Sequence, residues 1–231
     1  MNIIITGASR GIGKAIAQRF AASAATIVLN ARNESKLSSF AEELKQASNA
    51  EVLMYAADLS IKSEAAAFGN WCLQQCTPGI VINNAGSFLP GSIHNEAEDT
   101  LQQMIETNLY SAYHLTRALL PAMIKNKSGH IFNMCSIASL NAYGNGGSYS
   151  ISKFALAGFS KNLREEMKPY NIKVTAVYPG AVYTDSWSGS GVDPKRIMEA
   201  NDIAEMIYAA AHLSPQACVE DIIIRPQLGD L

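Results

Sequence analysis

Short apolar runs alternate with longer amphipathic segments along the whole chain of 231 residues. β-Branched runs that are apolar at nearly every position are typical of parallel strands covered on both faces. Such runs predict strands over residues 2–6, 26–31, 51–56, 80–83, 130–135, 172–177 and 221–225. The segments between them predict helices over residues 12–22, 35–47, 62–75, 98–125, 147–168 and 202–212.

This order of elements predicts the fold class. Strands that alternate with helices build βαβ units, which assemble into a doubly wound parallel sheet. The length suits one α/β domain over residues 1–231, with a seven-stranded sheet and helices on both faces. The longest stretch without periodicity runs from residue 183 to about residue 200. A loop of that length is usually functional, often a lid, so we expect it to face the substrate.

Composition and charge narrow the classes of partner. The formal net charge is −2, so we expect no binding of nucleic acid or of an anionic membrane surface. The sequence shows neither an apolar run long enough to span a bilayer nor a signal peptide, so we expect a cytoplasmic protein. Four scattered cysteines and four histidines lack metal-ligand spacing, so we expect no metal site.

The first predicted strand leads into a glycine-rich loop, Thr6-Gly-Ala-Ser-Arg-Gly-Ile-Gly13. Glycines between a strand and a helix suit a tight turn close to a pyrophosphate, where a Cβ would not fit. The helix that follows would offer free N–H groups and the positive end of its dipole to the phosphates. A glycine loop alone could be an ordinary turn, but its place after the first strand favours a dinucleotide site.

The second predicted strand indicates which dinucleotide would bind. In an NAD site, an acidic side chain about 20 residues after the loop accepts the ribose 2′-hydroxyl. Here the strand ends in Arg32 with no acid at its tip, and Arg10 in the glycine loop supplies a second cation. Two guanidinium groups suit a 2′-phosphate, so the sequence favours NADP(H); the alternative is that both are solvated surface arginines.

A serine, a tyrosine and a lysine form the predicted catalytic group. Ser136 follows the fifth predicted strand, and Tyr149 and Lys153 are one helical turn apart on one face of the next helix. The Lys153 ammonium would favour the phenolate and lower the pKa of Tyr149. Tyr149 would then exchange a proton with a carbonyl oxygen that Ser136 also holds. A Tyr-x-x-x-Lys pair alone is common on exposed helices, and here it follows a nucleotide loop.

Together with Asp58-Leu59, Asn83-Asn84-Ala85-Gly86, Asn108 and Pro179-Gly180 followed by Thr184, these motifs resemble the short-chain dehydrogenase/reductase family over essentially the whole chain. The resemblance implies a Rossmann-type fold and a reductase in which NADPH supplies a hydride to a ketone and Tyr149 supplies the proton. It implies that Lys153 lowers the pKa of Tyr149 and binds the nicotinamide ribose. It also implies that Ser136 orients the carbonyl and that Asn108 completes a water-linked proton relay.

The resemblance further implies the cofactor contacts. They comprise Gly7, Ser9, Arg10, Gly11, Ile12, Gly13, Arg32, Asp58, Leu59, Asn84, Ala85, Gly86, Tyr149, Lys153, Pro179, Gly180, Val182 and Thr184. Among them, Asp58 and Leu59 would flank the adenine. Asp58 could instead be a helix cap, and Asn108 could be a helix-interior amide bonded to backbone. Family members often pair through two long helices, here residues 98–125 and 147–168, so the resemblance implies a homodimer or homotetramer.

The substrate, a small carbonyl or alcohol, is the open part of the prediction. The candidate pocket lining is Phe88, Leu140, Tyr143, Tyr178, Val182, Tyr183 and Trp187, an apolar and aromatic set that fits a ring or a small hydrophobic ketone. Residues 179–184 and 220–231 resemble bacterial sepiapterin-reductase-like members, with Asp185 as the candidate carboxylate for a pterin edge. The alternatives are a 3-oxoacyl reductase acting on a carrier-bound thioester, a general carbonyl or sugar reductase, and a non-catalytic NADP(H)-sensing regulator.

Overall fold

The computed structural model describes residues 1–187 and 191–230, and seven parallel strands in that part of the chain form one sheet. The strands are β1 (Asn2–Ile5), β2 (Thr26–Ala31), β3 (Glu51–Ala56), β4 (Ile80–Asn83), β5 (Gly129–Met134), β6 (Ile172–Pro179) and β7 (Asp221–Ile224). The helices are α1 (Gly11–Phe20), α2 (Glu34–Ala47), α3 (Lys62–Gln75), α4 (Thr100–Ile105), α5 (Ser111–Asn126), α6 (Gly147–Met167) and α7 (Ala200–Ala211). Among the described residues, no helix is both long enough and apolar enough to cross a bilayer.

The strand order is β3-β2-β1-β4-β5-β6-β7, which confirms the predicted doubly wound parallel sheet. The direction of winding reverses between β1 and β4. In open α/β sheets, ligands bind in the crevice outside the carboxyl ends of the strands at such a reversal. The topology therefore favours a site at the loops that follow β1 and β4.

Both faces of the sheet are covered, and the central strands show why their sequences are apolar at every position. Ile3 and Ile5 of β1 pack into a core cluster with α1, α2 and α7, whereas Ile4 packs into a second cluster with α3, α5 and α6. Successive side chains of a strand point to opposite faces, so a strand covered on both faces has no position for a polar side chain facing water. The sheet is thereby a rigid platform for its carboxyl-end loops.

The prediction of a single α-helix over residues 98–125 is wrong. It consists of α4, a π-helical turn over Glu106–Tyr110 and α5. A π-helical turn inserts one extra residue and is often found at functional sites. In this turn the buried Asn108 side chain bonds the backbone of Ser87, outside its own helix, so a tertiary contact accompanies the change of helix type.

The other predicted boundaries differ from the structure by a few residues. β6 extends to Pro179, two residues beyond its predicted end, because Tyr178 and Pro179 pair with β7. α7 begins at Ala200, two residues before its predicted start, because Glu199 and Asp202 form a capping box. The predicted loop over residues 183–200 contains two 3₁₀ turns, Asp185–Trp187 and Pro194–Arg196. Residues 188–190 of that loop lie outside the described residues.

His130 of β5 is a buried, neutral imidazole in the sheet. Its Nε2 lies 2.7 Å from Thr175 Oγ1, and that hydroxyl donates its own hydrogen to the Val219 carbonyl. Nε2 must therefore carry the hydrogen, and Nδ1 has no hydrogen-bond partner among the described residues. Burial, aided by the charge of Lys173, lowers the pKa of His130 to about 3.

We expect this histidine to make the protein sensitive to acid. Between pH 6.5 and about 3 the unfolded chain binds one more proton at His130 than the native protein does. The free energy of unfolding therefore falls as the pH falls, by about 1.4 kcal/mol for each pH unit. The variant His130→Gln keeps an N–H donor for Thr175 but cannot titrate. Urea unfolding at pH 7, 6 and 5 should show that its free energy of unfolding falls less with falling pH than that of the wild type. The exposed His94→Gln should follow the wild type, and identical slopes for all three proteins would contradict the prediction.

Candidate active site

The predicted site residues gather at the carboxyl edge of the sheet. The glycine turn follows β1, Arg32 follows β2, and Asp58-Leu59 follows β3 almost directly. Asn84-Ala85-Gly86 follows β4, Ser136 follows β5, and the segment 180–184 follows β6. Tyr149 and Lys153 lie in α6, and Asn108 lies in the π-helical turn. Because the strands are parallel, these loops lie side by side along one crevice.

The glycine turn after β1 is packed too closely for side chains. Gly7 and Gly11 have φ values of 62° and 54°, in the left-handed region that favours glycine. At Gly13 an ideal Cβ would lie 2.4 Å from the Gly7 carbonyl oxygen and 2.6 Å from Asn84 Nδ2. The Asn84 amide fixes the turn by donating to the carbonyls of Thr6 and Gly7, at 3.0 and 3.1 Å. The loop after β4 thus holds the loop after β1.

The N-terminus of α1 is suited to an anion. Its N-cap residue, Arg10, makes no side-chain capping bond, and the first turn of the helix contains no acidic residue. The first N–H groups of a helix have no partner within it, and the helix dipole is positive at this end. A cradle without Cβ atoms, followed by an uncapped helix N-terminus, fits the pyrophosphate of a dinucleotide.

The two predicted phosphate-binding arginines flank this cradle, and each forms an ion pair through a largely exposed guanidinium. Arg10 Nη1 lies 3.3 Å from Asp185 Oδ2, and both side chains are about 60% exposed. Arg32 Nη1 lies 3.7 Å from Asp58 Oδ2. Exposed ion pairs contribute little to stability, so a phosphate could replace either carboxylate at low cost. Asp185, the candidate carboxylate for a pterin edge, faces Arg10 of the glycine turn in this structure.

Asp58 is not the N-cap of α3, which was the alternative to an adenine contact. Asp58 Oδ1 accepts bonds from Ser60 N and Ser60 Oγ at 3.0 and 2.7 Å, whereas the N-cap of α3 is Ile61. The Asp58 amide donates to Glu64 Oε2 at 2.7 Å, which fixes the turn after β3. The Leu59 side chain is buried in the core, so its backbone alone is available to an adenine.

Ser136, Tyr149 and Lys153 are brought together as the sequence predicts. Ser136 caps a 3₁₀ turn (Ile137–Ser139) through a reciprocal capping box: its Oγ accepts from Ala138 N, and its own amide donates to Ser139 Oγ, both at 3.1 Å. The Ser136 hydroxyl lies close enough to the Tyr149 phenol to lower its pKa, which offsets part of the effect of burial. The Lys153 ammonium lies 5.8 Å from the centre of the Tyr149 ring and donates to the Met134 carbonyl at 2.8 Å.

Asn108 joins the π-helical turn to this group. Its amide exchanges two hydrogen bonds with the backbone of Ser87 and donates to Ser152 Oγ at 2.9 Å. Ser152 in turn donates to the Tyr149 carbonyl at 2.7 Å. An ideal Cβ on Gly86 would lie 3.0 Å from Asn108 Oδ1 and 3.5 Å from Lys153 Nζ, so glycine leaves these two groups close to each other. Asn108 therefore makes backbone bonds, as a purely structural helix-interior amide would, and it also lies close to Lys153.

Ser152 is a buried bridging residue that the sequence analysis did not identify. It connects Asn108 to the backbone of Tyr149 and is fully buried in α6. Its only signal in the sequence is its position between Tyr149 and Lys153, on a helix where serines are common. Long-range packing, which a single sequence does not show, gives this serine its role.

The predicted lowering of the pKa of Tyr149 by Lys153 is wrong. Burial raises the pKa of the Tyr149 phenol above its ordinary value, and the hydrogen bond with Ser136 offsets part of that rise. Burial also lowers the pKa of the Lys153 ammonium to about 8. Removal from water disfavours the charged form of both groups, and burial is the largest cause of each shift. In this arrangement the phenol keeps its proton, as an acid that protonates a carbonyl oxygen must.

Part of the predicted pocket lining is core instead. Tyr178 is fully buried in a cluster with Ala112, Cys135 and Leu156. Val182 is buried in the core cluster that contains residues of α1 and α7. Strand pairing with β7 draws Tyr178 into the sheet, which explains the error. The remaining candidates are exposed or half-buried, in the segments that follow β4, β5 and β6. Phe88, 52% exposed, packs edge-on against Tyr149 with ring centres 4.9 Å apart.

Comparison with known proteins agrees with this geometry. The sequence profile that describes short chain dehydrogenases matches residues 1–193. Sepiapterin reductase of Chlorobaculum tepidum is 31% identical over 238 residues, covering 99% of this chain and 97% of that protein. A metagenomic short-chain oxidoreductase in complex with NADP is 32% identical, with a TM-score of 0.85 over 98% of this chain and 97% of that one. Alcohol dehydrogenase from the archaeon Thermococcus sibiricus, complexed with 5-hydroxy-NADP, is 28% identical, with a TM-score of 0.90 over 98% and 96% of the two chains.

Proposed function

This chain belongs to the short-chain dehydrogenase family, and on that premise we propose that it is an NADPH-dependent carbonyl reductase. The observation that carries the proposal is the meeting of Ser136, Tyr149 and Lys153 beside the glycine turn, at the carboxyl edge of the sheet. A nucleotide-sensing regulator would have no need for a half-buried acid held beside the nucleotide cradle. The intact group therefore favours an enzyme over a sensor.

In the proposed reaction, Tyr149 donates the proton to the carbonyl oxygen of the substrate. Bound NADPH would supply the hydride. The Ser136 hydroxyl, fixed by its capping box, would donate a hydrogen bond to the same oxygen and so stabilise the charge that develops there. The raised pKa of Tyr149 keeps its phenol protonated before the reaction.

Lys153 and Asn108 would restore the proton to Tyr149. The pKa of Lys153, about 8, lies close to neutrality, so this residue can both give and take a proton near physiological pH. Asn108 Oδ1 and Lys153 Nζ converge at Gly86, and a water bound by both would link them to solvent. Asn108 also fixes α6 through Ser152, so its amide would serve both the relay and the position of Tyr149.

The cofactor preference follows from the charges around the glycine turn. Arg10 and Arg32 flank the site, and their largely exposed guanidinium groups pair with the carboxylates of Asp185 and Asp58. β2 carries no acidic residue at its end to accept a 2′-hydroxyl. Both features favour a ribose that carries a 2′-phosphate. The NADP complexes of the two similar solved structures support the same assignment.

We expect the double variant Arg10→Ala, Arg32→Asp to reverse this preference. Loss of two charge-assisted contacts to a 2′-phosphate should raise KM for NADPH by roughly 100-fold, whereas KM for NADH should stay level or fall. Steady-state kinetics with both cofactors measures the change. Lys45→Ala, which removes an exposed cation from the last turn of α2, is the matched control and should leave both constants unchanged. An unaltered NADPH preference would place the 2′-phosphate elsewhere.

The substrate class follows from the residues at the mouth of the crevice. Phe88, Leu140 and Tyr183 expose apolar or aromatic surface there, and Phe88 contacts Tyr149 directly. We propose a ketone that carries a ring or another small apolar group. Sepiapterin is the more specific candidate, because the similarity to a sepiapterin reductase extends over 99% of this chain.

The experiment that tests the proposal is oxidation of NADPH, followed at 340 nm, with a panel of carbonyl compounds. The panel comprises sepiapterin, a 3-oxoacyl thioester, an aromatic diketone and a sugar ketone, with NADH in parallel. We expect selective turnover of sepiapterin or the aromatic diketone with NADPH. Turnover of the thioester alone would identify a 3-oxoacyl reductase. Tight NADPH binding without turnover of any compound would favour the sensor.

A further inference from the structure

The first turn of α6, which carries Tyr149, is capped by a residue from a distant segment. Its N-cap residue, Gly146, has no side chain that could cap the helix. Instead the carboxylate of Glu96 accepts a bond from Ser148 N at 3.2 Å, and its other oxygen accepts one from Ser148 Oγ. Ser148 is almost fully buried and directly precedes Tyr149.

Glu96 belongs to the β4–α4 segment (residues 84–99), which is packed tightly against the start of α6. Gly147 has a φ of 31°, and an ideal Cβ there would lie 2.5 Å from the Gly91 carbonyl oxygen and 2.7 Å from Glu96 Oε2. Asn145 adds two bonds: its carbonyl accepts from Gly91 N at 3.1 Å, and its side-chain oxygen accepts from Ser92 Oγ at 3.0 Å. Because no side chain fits at position 147, the segment packs closely against α6, and this packing fixes the position of the Glu96 carboxylate.

The same segment reaches the reacting side chain from its other end. Phe88 packs edge-on against the Tyr149 ring, while Glu96 holds the backbone one residue before Tyr149. One part of the segment thus contacts the Tyr149 ring, and another binds the residue that precedes Tyr149. A displacement of about 1 Å at a reacting group can cost as much as 100-fold in rate.

We propose that Glu96 is a positioning residue for Tyr149: its carboxylate fixes the first turn of α6 and links the β4–α4 segment to the proton donor. This inference rests on the proposed function, because it assumes that Tyr149 is that donor. A carboxylate suits the place, since it accepts from both Ser148 donors and complements the positive end of the helix dipole. A glutamine has no charge, and its NH2 group would replace one of the two oxygens that now accept from Ser148, so the bond with the Ser148 hydroxyl would have to reverse its direction.

The test compares Glu96→Gln with Glu98→Gln, a matched change at an exposed glutamate of the same segment. We expect Glu96→Gln to lower kcat about 10- to 100-fold, with KM for NADPH and the melting temperature close to those of the wild type. Glu98→Gln should keep the wild-type kcat. Ser148→Ala, which removes only the hydroxyl donor, should lower kcat by less, and the double variant Glu96→Gln, Ser148→Ala should be no slower than Glu96→Gln alone.

Two results would overturn the inference. One is a wild-type kcat in Glu96→Gln, and the other is a loss of kcat matched by equal losses of NADPH affinity and thermal stability. If Glu96→Gln does not fold, an unchanged kcat in Ser148→Ala overturns it as well. Tyr149→Phe separates this inference from the proposed function, because full activity in that variant rejects the function whatever Glu96 does. An inactive Tyr149→Phe beside a fully active Glu96→Gln rejects the role of Glu96 alone.

Discussion

Tyr149→Phe should lower kcat by about 10³-fold or more, because it removes the hydroxyl that protonates the carbonyl oxygen. The ring remains, and so does its edge-on contact with Phe88 at 4.9 Å. The glycine turn and its arginines lie on other loops of the crevice and are untouched by this change. The dissociation constant of NADPH, measured by fluorescence titration, should therefore stay within about threefold of the wild-type value, which is below 1 kcal/mol.

The matched control is Tyr170→Phe, in the 3₁₀ turn that follows α6, where the phenol lies at the surface. It should keep the wild-type kcat and NADPH affinity. If Tyr149→Phe retains more than a tenth of the wild-type turnover, another group supplies the proton and the proposed mechanism is rejected. If it loses NADPH binding together with turnover, the phenol belongs to cofactor binding rather than to proton transfer.

The sequence predicts the parts of the site that depend on order along the chain. The glycine turn, Ser136 and the Tyr149–Lys153 pair each follow from a local pattern: a loop between strand and helix, a strand end, or a helical turn. The parallel sheet then places their loops along one edge without further information. For this reason the doubly wound parallel sheet agrees with the prediction, and the structure brings these side chains to one edge of it.

Features that depend on three-dimensional packing were not predicted. The π-helical turn at Asn108 accompanies bonds to Ser87 and Ser152, which lie 21 and 44 residues away along the chain. The pKa of Tyr149 is raised mainly because the phenol is removed from water. The pattern of residue types along the chain does not show how far a side chain is removed from water. Tyr178 is an aromatic residue near the end of a strand, which made it a candidate for the pocket lining. Pairing of β6 with β7 places it in the core instead.

Gly13 gives the largest stability effect that we expect at the cofactor site. In Gly13→Ala the new methyl group would lie 2.4 Å from the Gly7 carbonyl oxygen, well inside contact distance. That oxygen belongs to the backbone of the glycine turn and is held by Asn84 Nδ2, so it cannot move without disturbing the bond between the two loops. We expect a loss of about 3 kcal/mol in the free energy of unfolding, measured with urea. NADPH binding should weaken by roughly tenfold or more, because the displaced turn forms the pyrophosphate cradle.

Gly158→Ala is the matched control for this change. Gly158 lies on an exposed face of α6, and an ideal Cβ there has no atom within 4 Å. Alanine has the higher helix propensity, so this variant should be about 0.5–1 kcal/mol more stable than the wild type. Equal stabilities of Gly13→Ala and the wild type would mean that the turn relaxes freely around the methyl group. Its close packing would then not be what shapes the cradle, and the shape would depend instead on the left-handed backbone at Gly7 and Gly11.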